Sequence, residues 1–182
     1  MAGANVRTGA VVLAFCTAPN CAWGLRGAVR VCTNKTCRKD GGGHELAARF
    51  LQLAQATNQE FAVEECGCLG NCGKGPNVAV CFPPAADDCE EAIKVYNDVF
   101  KPAKGAAIVE HCLGVPVPDA IVDAQVLNMK AIRLCGQDRL DEAAALCTQG
   151  LGLLGSDERF ALARSALEST HDLISGRRDG RL

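Results

Sequence analysis

Three cysteines fall within seven positions in the stretch EECGCLGNCGKGP, residues 64–76, crowded together with glycines and closed by a proline. The run before it, EFAVEE at 60–65, alternates apolar and polar residues as a strand does. The run after it, NVAVCF at 77–82, reads as another strand and is cut off by Pro83 and Pro84. A strand that runs straight into a cysteine loop also occurs earlier. AVRVC, residues 28–32, is a short β-rich run ending on Cys32, and the polar, glycine-rich loop TNKTCRKDGGG behind it carries Cys37. The chain therefore delivers thiols to the ends of two strands, and any fold it adopts must accommodate both loops.

Between the loops, HELAARFLQLAQA places Leu46, Phe50, Leu53 and Ala54 at spacings of three and four, which predicts an amphipathic helix. After the acidic connection AADDCEEA, IKVYNDV predicts a fourth strand closing a hairpin, and PAKGAAIVEHCL predicts a helix behind Pro102 that GVPVP ends. Residues 28–113 thus read βαβββα, an α/β (α+β) pattern.

Beyond Pro118 the pattern is helical throughout. Ala120, Ala124, Leu127, Ala131 and Leu134 mark one face of a helix that stops near Gly136. Asp138 or Asp141 is expected to open a second, LDEAAALCTQGLGLLG, with Gly155 as its stop. The third opens on Ser156 as N-cap, with Asp157 and Glu158 supplying an acidic first turn. GRRDGRL reads as a frayed basic tail over 176–182.

The N-terminal stretch differs from the rest. Residues 1–27 hold Arg7 and Arg26 and no acid, Asp40 being the first, and GAVVLAFCTA is a short apolar run of signal-peptide length. Residues 1–27 are therefore read as a targeting leader, the alternative being an extended arm anchored by Phe15 and Trp23. Two arginines are few for a mitochondrial leader, which favours a plastid. Cys16 and Cys21 are excluded from any site on this ground.

Twelve cysteines raise the question of disulfides. Cross-linked secreted scaffolds are usually shorter than about 80 residues and lack long helical segments, so reduced thiols are the better reading. A net charge of −2 gives no whole-protein attraction for nucleic acid, and no stretch of about 20 apolar residues is present to span a membrane.

Cys32 and Cys37 follow the first strand, and Cys68 and Cys72 the second, spaced C-x4-C, thirty residues, C-x3-C. Two short loops beside neighbouring strand ends can bring four thiolates together, as a 2Fe-2S cluster requires with two cysteines per iron. Zinc is the competing occupant, although its structural knuckles are often the tighter C-x2-C; four plain structural cysteines are the third reading. Gly67, Gly70, Gly73 and Gly75 allow positive φ and amides aimed at a negatively charged centre, and Pro76 sets the exit into the third strand.

VRVCTNKTC, a helix, FAVEECGCLGNCGKGPNVAV and IKVYNDVFKPAKGAAIVEHCLG together resemble the thioredoxin-like 2Fe-2S ferredoxins, which include a cluster-bearing subunit of respiratory complex I. The resemblance covers residues 28 to about 115. It implies a thioredoxin-like fold, one 2Fe-2S cluster held by Cys32, Cys37, Cys68 and Cys72, and one-electron transfer. On that reading Cys66 is a bystander, its alternatives being to replace Cys68 or to join a disulfide. A C-x-x-C dithiol is absent, so no thioredoxin chemistry is implied. Cys81, Cys89, Cys112, Cys135 and Cys147 read as small buried hydrophobes, and His44 and His111 as ordinary helix residues. Lys35, Arg38, Lys39 and Lys74 flank the ligands as a basic rim suited to an acidic protein redox partner.

Residues 118–175 resemble tetratricopeptide-type helix pairs more loosely, GQDRLDEAAALCTQGLGL matching a turn and second helix, with Ala143 and Gly150 at the close crossing and Cys147 between. One repeat and a closing helix is fewer than usually stands alone, so this module must lean on the first domain or on a partner, and its expected role is docking to a larger complex. No phosphate-cradling glycine loop and no nucleophile with its base is present. The expectation is an electron carrier rather than an enzyme; the alternative is a structural or assembly subunit of a photosynthetic or respiratory complex that uses the ferredoxin-like domain as a scaffold.

Overall fold

The structure is a computed structural model that describes residues 25–39, 41–82 and 92–181. All but the last three residues of the expected leader, and the acidic connection with Cys89, lie outside the described residues. The chain is α+β: the described residues form a four-stranded mixed sheet and six helices with one 3₁₀ turn. In chain order these are β1 Ala28–Cys32, α1 Lys35–Lys39, α2 His44–Ala56, β2 Ala62–Cys66, β3 Val78–Phe82, β4 Ala92–Tyr96, α3 Pro102–Leu113, α4 Asp119–Gly136, α5 Leu140–Leu154 and α6 Ala161–Arg178. The 3₁₀ turn, Glu158–Phe160, leads into α6.

The sheet order is β2-β1-β3-β4. β2 lies parallel to β1, as a crossover through α2 demands, and β3 and β4 run antiparallel. Val29, Val31, Val78 and Val80 are fully buried and share a face, since Val29 pairs with Val80 and Val31 with Val78. Leu46, Phe50, Leu53 and Ala54 of α2 are buried as their spacing predicts, and they belong with those valines, Val109 and Leu113 to one core. α3 begins with Pro102 in its first turn and ends on Gly114 in the left-handed conformation, whose N–H returns to the Glu110 carbonyl at 3.0 Å.

The helical module does lean on the sheet domain. Its Ile121, Ala131, Ala143, Cys147, Leu167 and Ile174 continue the same apolar core. Across the seam the buried Gln125 amide donates to the Arg49 carbonyl and to Gln52 Oε1, both at 2.9 Å, and Leu162 N donates to Gln55 Oε1 at 2.8 Å. Among the described residues no helix is long and apolar enough to cross a membrane.

Several local expectations change. Lys35–Lys39 forms a helical turn rather than an open loop, because Arg38 N closes a bond to the Asn34 carbonyl at 3.0 Å. β2 starts later than expected and runs on through Cys66, while β4 is shorter, Asn97–Val99 leaving the sheet as Val99 N bonds the Pro76 carbonyl. The buried stripe of α4 centres on Ile121, Ala124, Leu127, Ala131 and Cys135, with Ala120 and Leu134 at its margins, because α4 faces α2, α5 and α6 together. Neither Asp138 nor Asp141 caps α5: Asp138 takes the left-handed turn position at φ 61°, and Asp141 lies inside the first turn. Asp157, not Ser156, is the cap before α6, its carboxylate accepting from Arg159 N at 2.9 Å. The tail from 176 is helical through Arg178, since Gly176 is buried and Arg177 donates to the Cys135 carbonyl at 2.8 Å.

Candidate metal centre

Parallel pairing of β1 and β2 sets Cys32 directly opposite Cys66, so both strands reach the same sheet end with thiols. Thr33 locks that end, its N–H and its hydroxyl both donating to the Cys66 carbonyl at 2.9 and 3.0 Å. Cys37 lies on α1, near enough to Cys32 for that thiol to act on its pKa. Both are buried, contrary to the expectation of open loops. The reason is the close approach of the chain at 41–43: a side chain at Gly42 would meet the Cys37 carbonyl at 2.8 Å and Pro76 at 2.6 Å, so only glycine lets these segments close over Cys37.

Cys68 and Cys72 are exposed, and their sulfurs stand 3.1 Å apart. Gly70 and Gly73 hold φ of 81° and 87°, conformations that side-chain-bearing residues rarely take. The first aims its N–H at Cys68 Sγ, 3.4 Å away. Gly67 and Gly75 do not use positive φ.

The electrostatics tie the two pairs together. Burial, the Cys32 thiol and the charges of Cys32 and Cys72 push Cys37 up to about 11, against a lowering hydrogen bond from Asn77. The hydrogen bond from Cys72 and the Gly70 amide lower Cys68, while its bond and charge raise Cys72, which also feels Cys32. Cys66 is raised chiefly by burial and then by Cys32.

Among the described residues no three or more Cys, His, Asp or Glu side chains close on one point as the ligands of a single metal ion. Of the four cysteines, only Cys68 and Cys72 have their sulfurs in contact, and a two-iron centre takes two thiolates at each iron. In donor chemistry, four cysteine sulfurs are what such a centre takes.

The remaining cysteines are elsewhere. Cys81, Cys135 and Cys147 are buried in strand or helix, as expected, and the half-buried Cys112 meets the Tyr96 hydroxyl at 2.7 Å. His44 opens α2 and binds Glu65 at 2.8 Å; His111 is exposed on α3. Lys35, Arg38, Lys39 and Lys74 are all exposed, beside the thiols in sequence. Sequence reasoning missed Asn77, a polar residue at the mouth of β3 whose buried amide donates to Cys37 Sγ at 3.7 Å and to the Asn71 carbonyl at 2.9 Å. Its only signal in the sequence is an asparagine between Pro76 and a β-branched run. Compared with protein-family models, with curated proteins and with solved structures, the chain matches none.

Proposed function

We propose that the protein is a one-electron carrier with a thioredoxin-like ferredoxin domain, in which Cys32, Cys37, Cys68 and Cys72 hold a 2Fe-2S cluster. The observation that carries this reading is the parallel pairing of β1 and β2, which sets Cys32 opposite Cys66 and so brings the Cys37 turn and the Cys68–Cys72 loop, with its two sulfurs 3.1 Å apart, to one end of the sheet. A cluster bound there would take up and release a single electron. The chain's own part is to place the pairs unequally. Cys32 and Cys37 are buried, Cys37 beneath Gly42 and Pro76, whereas Cys68 and Cys72 face solvent on a glycine loop. That second pair is therefore the side from which a partner protein approaches.

The basic rim of Lys35, Arg38, Lys39 and Lys74 supports an acidic partner at that side. The helical module, with Ile132, Leu153 and Leu173 exposed, supports docking to a larger assembly, in a plastid in preference to a mitochondrion. Anaerobic purification with iron, sulfide and zinc analysis, and a visible spectrum before and after dithionite, tests the reading. About two irons and two sulfides per chain with a bleachable spectrum are expected. Zinc in their place, or no metal, would turn the domain into a scaffold and overturn it.

A further inference from the structure

Asn77 has the least expected surroundings of any polar residue near the thiols. It is 1 % exposed, on the residue that leads into β3. Its backbone carbonyl accepts from Cys32 N at 3.1 Å. Its side-chain amide nitrogen donates to Cys37 Sγ at 3.7 Å and to the Asn71 carbonyl, next to Cys72, at 2.9 Å. One residue thus touches the backbone of the first ligand, the sulfur of the second and the loop of the fourth. Its side-chain oxygen is buried with no hydrogen-bond partner. A buried, unpaired amide oxygen costs about 1–3 kcal/mol, a cost an apolar residue in the same place would not carry. The amide is kept for its donor end.

We propose that Asn77 is a positioning residue of the cluster site, which holds the Cys37 and Cys72 halves of the ligand set together and sets the reduction potential through its N–H···S bond to Cys37. This rests on the four-cysteine reading above. Hydrogen bonds to cluster sulfurs favour the more negative, reduced form and so raise the potential, and outer partners of ligands orient them. Because the Cys32 N–H bonds the Asn77 backbone and not its side chain, that link survives substitution.

The test compares the midpoint potentials of the iron-loaded wild type, Asn77→Leu and Asn77→Asp, with circular dichroism and melting of the metal-free chains alongside. Leucine keeps the volume and removes the donor; aspartate keeps the shape and turns oxygen toward sulfur. The potential should fall in the order wild type, N77L, N77D; metal-free N77L should melt near the wild type, since the bond lost to Asn71 is offset by removal of the unpaired oxygen, whereas metal-free N77D should melt lower for its buried charge. Potentials equal to the wild type's in loaded variants overturn the proposal while leaving the cluster reading intact. N77L that takes up no iron supports the proposal if its metal-free form melts with the wild type's. If that form melts lower or does not fold, Asn77 is a packing residue only and the proposal fails. Iron absent from the wild type itself overturns the cluster reading and this inference with it, and the metal analysis of that one sample separates the two failures.

Discussion

A side chain added at Gly150 would meet Leu167 Cδ1 at 2.9 Å, so the spot where α5 crosses α6 belongs to a residue without one. Leu167 is fully buried, so its side chain must repack within the core to admit one. Gly150→Val should therefore destabilise the chain by about 1–3 kcal/mol through overpacking, lowering the melting temperature by about 2–4 °C for each kcal/mol at this chain length. An unchanged melting temperature would mean the two helices can separate freely. The small residue was legible in the sequence because Ala143, Cys147 and Gly150 recur at helical spacing. At the candidate site the legible part was the set of thiols, since cysteine and glycine at strand ends have few other uses. Asn77 was not legible, because its part depends on Cys37 and Asn71 coming to it from separate loops.

At the scale of elements, the seam between α2 and α4 is held by polar groups inside an apolar layer. Gln125 and Gln52 are both buried and satisfy one another, and Gln125 also caps the Arg49 carbonyl. Gln125→Leu alone strands Gln52 Oε1 and should cost about 1–3 kcal/mol. The double variant Gln52→Leu/Gln125→Leu should recover much of that loss, because it leaves no unpaired amide between the helices. Denaturant titration of the four chains of this cycle gives the coupling. A loss in the double variant equal to the sum of the two single losses would show that the pair carries no coupling. The strands and long helices were each legible as elements from apolar periodicity, but their ends were less so. Asp138 looks like a helix cap in sequence and is instead the left-handed residue of the α4–α5 turn. Asp, with its short polar side chain, suits both tasks.

At the scale of the whole molecule, net charge is close to zero, so any steering of a partner must come from where the charges lie. Lys35 and Lys39 on α1 and Lys74 behind Cys72 are exposed beside the thiols. Reversing all three, Lys35→Glu/Lys39→Glu/Lys74→Glu, should slow electron exchange with an acidic redox protein at low salt, with the difference fading as ionic strength rises past about 0.1 M. Stopped-flow rates over a salt series check this; equal rates at low salt would remove the rim from the argument. The sequence by itself determined the βαβββα order, the helical half behind Pro118 and the thiols at strand ends, because periodicity and chain punctuation are local properties. The tertiary structure alone decided three further matters. It set the parallel register that faces Cys32 with Cys66, buried Cys37 beneath Gly42 and Pro76, and merged the two halves into one core through α2. Each joins residues far apart along the chain, and such pairing depends on which surfaces fit when packed, something no local pattern encodes.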